Sequence, residues 1–218
     1  MIHIFDVDQT VIKKTSAQYF LSEALKEKLI RLSQIWRLPF DLLKYKLAVP
    51  DSDFIEKAVK YLPDINKSDL DKTAENSFKK QVKRNIYHDA FRLIKDAMQK
   101  GEQVLFATSS FDFIIRPLED FFNIKGSLAT RMEYHDGKTT GCLAGNSLFG
   151  IKKKEAVEQW LKKNGIDSAE VCFYSDSYTD IPLLEYCGTA VAVNPDRRLA
   201  KTAKKHGWKI LHFKKLIG

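Results

Sequence analysis

Cysteine is scarce in this 218-residue chain: Cys142, Cys172 and Cys187 are all it has, and no two stand at CxxC spacing. An odd, unclustered set excludes a disulfide framework or a thiolate zinc site and suits a reducing cytoplasm. Long apolar runs are missing as well. No stretch approaches the roughly 18 residues that a membrane-spanning helix needs. Asp6 and Asp8 interrupt any apolar leader, so neither a membrane span nor a signal peptide is expected. Glycine-rich nucleotide loops of the GxxxxGKS, GxxxxGKT or GxGxxG kind are absent, which makes ATP-driven work unexpected. The five histidines, His3, His88, His135, His206 and His212, show no ligand spacing, and none is assigned to catalysis.

What is present fits an ordinary globular chain, 44% hydrophobic and 29% charged, long enough for one α/β domain carrying a smaller insertion. The net charge of +8 raises the question of an anionic partner. Lysines are spread along the whole sequence with no dense basic arm among aromatics, so they read as a solvated surface, and nucleic-acid binding is not expected.

Short apolar runs of strand length occur at Ile2 to Asp6, Gln103 to Ala107, Val171 to Tyr174, Ala190 to Val193 and Lys209 to Phe213. Helical periodicity marks 15–32, where Ala17, Phe20, Leu21, Ala24, Leu25, Leu29 and Leu32 share one face and Thr15 and Ser16 are natural N-caps. Further helices are predicted at 69–82, 87–100, 111–122 (broken by Pro117), 151–163 and 199–205. Asp136-Gly137 between β-compatible runs predicts a hairpin over 133–143, and 127–129 reads as a short strand. Strands alternating with helices imply a doubly wound, mainly parallel, Rossmann-like sheet. The all-helical block 13–90 breaks that rhythm and is expected to be an inserted cap, leaving 1–12 plus 91–218 as the core.

Why does the first strand run into two carboxylates, in IHIFDVDQTV? Buried carboxylates need a partner, a hydrogen bond or a metal. In an open parallel sheet ligands sit at the carboxyl ends of strands. Three predicted strands end there in polar clusters: at Asp6, at Thr108 and at Ser175-Asp176. A parallel arrangement brings these ends to one edge. Carboxylates with no histidine or thiolate nearby favour a hard cation such as Mg²⁺, which suits phosphoryl transfer. Asp6 at the strand tip is the candidate nucleophile. Asp8, two residues on and on the same side of an extended chain, is the candidate general acid and base.

The set DVDQT at 6–10, a hydrophobic strand ending in Thr108, a lysine near 153 and SDSYTD at 175–180 resembles the haloacid dehalogenase superfamily of aspartate-dependent phosphatases. It looks most like the phosphoserine-phosphatase-like branch, whose helical cap follows the first motif. The resemblance covers essentially the whole chain. It implies a phosphoric monoester hydrolase acting through an aspartyl-phosphate on a small phosphorylated metabolite, with Mg²⁺ as cofactor. It also implies Asp6 as nucleophile and metal ligand, and Asp8 as acid and base with its carbonyl on the metal. Thr108, Ser109 and Ser110 would bind the phosphoryl group, and Asp176 and Asp180 would serve the metal. Among Lys152, Lys153 and Lys154, the family pattern of a glycine three before and a branched apolar residue four after picks Lys153, between Gly150 and Val157.

Two positions depart from the pattern: Thr15 stands where a glutamate holds the amine of phosphoserine, and Thr179 where asparagine is common. The first argues against phosphoserine as substrate. Alternatives are a phosphotransferase, which no residue excludes, and a non-hydrolytic phospho-aspartate receiver, against which Asp8 and the large insertion speak. Residues 31–47, with Trp36, Phe40, Arg31, Arg37, Lys44 and Lys46, read first as cap packing and second as a surface for anionic lipid.

Overall fold

The protein is described by a computed structural model, which covers residues 1–30, 53–60, 62 and 64–218. The amphiphilic stretch 31–47 lies outside the described residues. Six parallel strands form one sheet in the order β3-β2-β1-β6-β7-β8. They are β1 Ile2–Phe5, β2 Gln103–Phe111, β3 Leu128–Thr130, β6 Val171–Ser175, β7 Thr189–Val193 and β8 Lys209–Leu211. The helices are α1 Ser16–Lys26, α2 Asp53–Val59, α3 Lys67–Ser77, α4 His88–Gln99, α5 Asp112–Phe122, α6 Ile151–Asn164, α7 Ile181–Tyr186 and α8 Arg197–His206. β1 sits between β2 and β6, so the chain leaves it in opposite directions and opens a crevice beside its carboxyl end.

Both faces of the sheet are covered, which is why its strands read as unbroken apolar runs. On one side Phe5, Phe106, Tyr174 and Val193 pack with Ala90 and Ile94 of α4 and Ile115, Leu118 and Phe122 of α5. On the other, Ile4, Leu105, Phe173 and Ala192 meet Val157 of α6, Leu183 of α7 and Leu199 of α8. Full burial of a side chain such as Phe5 or Phe173 contributes about 1.5–3 kcal/mol. A third apolar cluster joins Phe20 and Ala24 of α1, Val59 of α2, Leu70 and Ala74 of α3, and Phe113 of α5.

The structure adds α7, Ile181–Tyr186, which the sequence reading lacks, and departs from it in four further ways. β2 runs on past Ala107 to Phe111, because β3 offers a further pairing edge at Ala107↔Leu128 and Phe111↔Thr130. Thr108, Ser109 and Ser110 therefore lie within that extension. α5 is continuous through Pro117, whose ring is buried; packing of Ile115, Leu118 and Phe122 outweighs the lost backbone bond. The buried stripe of α1 is Ser16, Tyr19, Phe20, Glu23 and Ala24, while Ala17 is exposed. The helix predicted over 69–82 is α3 followed by a π-helical turn, Phe78–Val82, and a 3-10 turn, Lys83–Asn85. The hairpin forms with β4 Met132–His135 and β5 Lys138–Leu143. Its corner puts Asp136 at φ 49 and Gly137 at φ 75, the two positive angles that a tight turn of this kind needs.

Candidate active site

Strand register brings the polar ends together. Phe5 pairs with Phe106 on one side and Tyr174 on the other, so Asp6 lies beside the Ala107-Thr108 and Ser175-Asp176 segments. The Asp6 N–H extends the ladder by donating to the Tyr174 carbonyl at 2.9 Å. The chain then turns at Gln9, whose φ is 60, and closes with Val11 N–H to the Val7 carbonyl at 2.9 Å.

One lysine ties the ends into a cluster. Lys153 Nζ donates to Asp6 Oδ1 at 3.0 Å and to Asp180 Oδ2 at 2.7 Å, and all three side chains are buried. α6 delivers it, starting directly after Gly150, whose φ of 56 suits glycine. Its neighbours diverge: Lys152 pairs with Glu155 at 3.0 Å, and Lys154 with Glu158. Ser175 Oγ donates to Asp180 Oδ2 at 2.7 Å, and Thr10 Oγ1 to Asp176 Oδ1 at 3.4 Å. Thr108 is fully buried, and its Oγ1 accepts from the Ser110 N–H at 3.2 Å. The N-cap position of α5 lies three residues beyond Thr108, at Phe111, with no side-chain capping bond. Asp8 is held from the other direction, its Oδ1 accepting from the Ser16 N–H at 2.7 Å in the first turn of α1. The buried Ser16 and Ser110 hydroxyls meet at 2.6 Å.

Acid outnumbers base in this crevice. Burial pushes the Asp6 carboxyl up to about 7 against the pull of Lys153, and the Asp180 and Asp8 charges push it further the same way. Burial also raises Asp8, opposed by the Ser16 hydrogen bonds. Asp176 lies well above the carboxylate range because of burial and the nearby charges of Asp6 and Asp180. For Lys153 burial alone would favour the neutral amine, but Asp180 and Asp6 outweigh it and hold the ammonium charged. A site with surplus buried negative charge is a functional candidate.

The donors can serve a hard cation. They are all oxygen, and Asp180 Oδ1 is buried with no hydrogen-bond partner among the described residues. Among those residues no three histidine, cysteine or acidic side chains form a cage by themselves. Magnesium does not require one, since it keeps several waters and takes few protein ligands. On these observations the site fits that ion.

Each residue singled out from the sequence falls along this edge. Asp6, Lys153 and Asp180 touch directly, while Asp176 accepts from Thr10 and Asp8 from the Ser16 N–H, bonds that do not themselves reach that trio. No contact ties Ser109 to the carboxylates; its carbonyl accepts from Thr130 Oγ1 at 2.8 Å. Sequence reasoning passed over Thr10, Ser16 and the hydroxyl of Ser175 as site members. For Thr10 and Ser175 the available signal was adjacency to the acidic motifs. Ser16 carries none, since its contacts to Asp8 and Ser110 depend on how α1 docks.

The sequence matches the haloacid dehalogenase-like hydrolase family over residues 4–185. It is 31% identical to the histidinol-phosphatase of Neisseria meningitidis serogroup C, with 97% of this chain and 98% of that protein covered. It is 28% identical to phosphoserine phosphatase SerB1 of Mycobacterium tuberculosis, covering 96% of this chain and 70% of that one. A solved structure of a substrate-bound phosphoserine phosphatase superposes with a TM-score of 0.71 at 19% identity, over 96% of this chain and 91% of the other. That likeness speaks for the fold.

Proposed function

Because this chain belongs to the haloacid dehalogenase-like hydrolases and is a phosphoric monoester hydrolase, we propose that it is a magnesium-dependent phosphatase working through an aspartyl-phosphate on Asp6. The observation that carries this reading is the buried contact of Lys153 with Asp6 and Asp180 at the carboxyl edge of the sheet. The lysine fixes the Asp6 carboxylate while leaving its second oxygen free of that bond.

In the first half-reaction an Asp6 oxygen attacks phosphorus in line. The bond from phosphorus to the ester oxygen breaks, and Asp8 protonates the departing alcohol. The raised affinity of Asp8 for its proton supports this role. In the second, Asp8 takes a proton from water, which attacks the same phosphorus and releases phosphate from Asp6. The Thr108 hydroxyl and the Ser109 amide would donate to the phosphoryl oxygens, the Ser110 N–H joining them only by leaving its bond to Thr108 Oγ1, and Lys153 balances charge on Asp6. Asp6, the Asp8 carbonyl, Asp176 and Asp180 are the candidate groups for magnesium, of which the ion would take a few directly and reach the others through its waters. Once bound, the ion supplies positive charge against the carboxylates and the phosphoryl group.

The cap expected at 13–90 would lie over the core of 1–12 plus 91–218 and exclude water while the phosphoenzyme forms, but its last part belongs with the core, since Val82, Ile86 and Ala90 pack against Phe5 and Phe106 of the sheet. Support comes from Ser16, which links the first cap helix to both Asp8 and Ser110. Thr15 caps α1, its Oγ1 accepting from the Gln18 N–H at 3.3 Å, so it does not supply the carboxylate that an amino-acid phosphate would meet. Free buried thiols at Cys172 and Cys187 are consistent with a cytoplasmic setting. No helix among the described residues is long and apolar enough to cross a membrane.

The deciding experiment is hydrolysis of an aryl phosphate with added Mg²⁺ by the wild type and by Asp6→Asn. A panel including phosphoserine and histidinol phosphate then addresses the substrate. Wild-type turnover with loss in the variant is expected; equal turnover by both ends the nucleophile assignment.

A further inference from the structure

A cleft of about 400 Å³ shares no residue with the carboxylate cluster. It opens between the edge strand β3, the 144–148 loop and the outward face of α6. Its volume suits a small molecule better than a peptide, since ligand pockets run from roughly 300 to 1,000 Å³. The lining has two characters. Leu128, Leu148 and the half-buried indole of Trp160 give it an apolar wall. Arg131, Lys152 and Lys163 set three cations against the one acid of the lining, Glu155. Glu155 is engaged by Lys152 at 3.0 Å, which leaves Arg131 and Lys163 without an ion pair among the described residues. Two unpaired cations beside an apolar wall match a molecule carrying an acid group on an apolar body.

The cleft also has a physical connection to the catalytic segment. Thr130 is fully buried between two lining residues, Ala129 and Arg131. Its Oγ1 donates to the Ser109 carbonyl at 2.8 Å and accepts from the N–H of Leu148, itself a lining residue, at 3.0 Å. Anything that presses on Leu148 or Arg131 bears on one hydroxyl, and that hydroxyl holds the backbone next to Thr108 and Ser110. We propose that this cleft is a second binding site for a small organic anion and that its occupancy is felt at Ser109 and Ser110 through Thr130. Coupling of this kind is reciprocal, so a ligand at either place alters affinity at the other.

The probe is 1-anilinonaphthalene-8-sulfonate, an acid group on an aromatic body. Its fluorescence titration should give a dissociation constant at least about tenfold weaker in the Arg131→Ala/Lys163→Ala variant, the direction expected when charge-assisted contacts are lost. Asp6→Asn, which alters only the carboxylate cluster, should bind as the wild type does. Unchanged affinity in the double variant, or weakened affinity in Asp6→Asn alone, overturns the site. Coupling is read by amide NMR and hydrogen exchange on the wild type. The probe should shift the Ser109 and Ser110 resonances and slow exchange at Leu148, and Thr130→Val should abolish the shift at 109 and 110 while Thr130→Ser keeps it. Binding without any response at those amides overturns the coupling. These readouts do not depend on hydrolysis, so a failed phosphatase assay and a failed cleft are separate outcomes.

Discussion

Lys153 and Glu23 are both buried ions held by salt bridges, but the two regions balance charge in opposite ways. At the carboxyl edge of the sheet one buried cation, its side chain 4% exposed, serves Asp6 and Asp180, with Asp176 also near. Negative charge is left over. Between α1 and the turn after α3, one buried acid, Glu23, meets Lys80, Lys26 at 3.6 Å and Gln81 Nε2 at 3.5 Å. Its cationic partners extend to solvent, with side chains 57% and 63% exposed. There nothing is left over, and the contact only joins elements. A deficit that another charge must fill points to chemistry, whereas a satisfied pair points to assembly.

The largest effect expected from this contrast is that of Asp6→Asn, which should lower aryl phosphate hydrolysis on the order of 10⁴-fold or more. The same change should raise the melting temperature of the metal-free protein at pH 7, because it removes surplus buried charge. Glu23→Gln should do the reverse, lowering the melting temperature and sparing turnover. If both variants lose stability and activity together, the contrast fails. Next comes Lys153→Met, which strands Asp6 and Asp180 without their cation and should cost about 3–5 kcal/mol in chemical denaturation. Lys80→Met should cost less, because Lys26 and water still reach Glu23. Equal losses would mean that exposure does not separate the two bridges.

The pH dependence should differ in sign. Asp6 in the folded, metal-free protein is raised from 3.8 to about 7. The unfolded chain gives up that proton first, so stability present below about pH 4 is lost as pH rises through about 7. Magnesium, binding the folded state, should restore it at pH 7. Glu23 is lowered from 4.5, chiefly by the Lys80 hydrogen bond. Its contribution is present above about pH 4.5 and is lost as pH falls through the folded value. Calorimetric scans should therefore show Asp6→Asn flattening the neutral side of the profile, on the order of 5 °C. Glu23→Gln should flatten the acid side by less. Identical profiles for the two variants would show that neither group carries its assigned charge.

The difference between these regions also governs what the sequence discloses. Asp6, Thr108 and Asp176 stand at the ends of apolar runs, so their convergence follows from parallel pairing alone. Asp136-Gly137 is equally local, since its turn angles belong to those two residues. Glu23 is not legible in this way. Its burial depends on Lys80 and Gln81, more than fifty residues later in the chain, and apolar periodicity alone turns α1 toward Ala17. The extension of β2 waits likewise on β3, and the passage of α5 through Pro117 on packing that local propensity does not register.

Thr15 lies where the two regions join, which makes it the finest test of their separation. Its hydroxyl caps α1 through the Gln18 N–H, and the next residue sends its own N–H to Asp8. Thr15→Ala should cost about 1 kcal/mol through the lost cap, or roughly 2–4 °C in a chain of this size. The Ser16 to Asp8 bond is made by backbone and survives that substitution, so turnover should change by less than about threefold. A variant that keeps its melting temperature but loses hydrolysis would show that the end of α1 tunes Asp8 directly. The join would then be catalytic, and the satisfied bridge at Glu23 would be the far anchor of the same device.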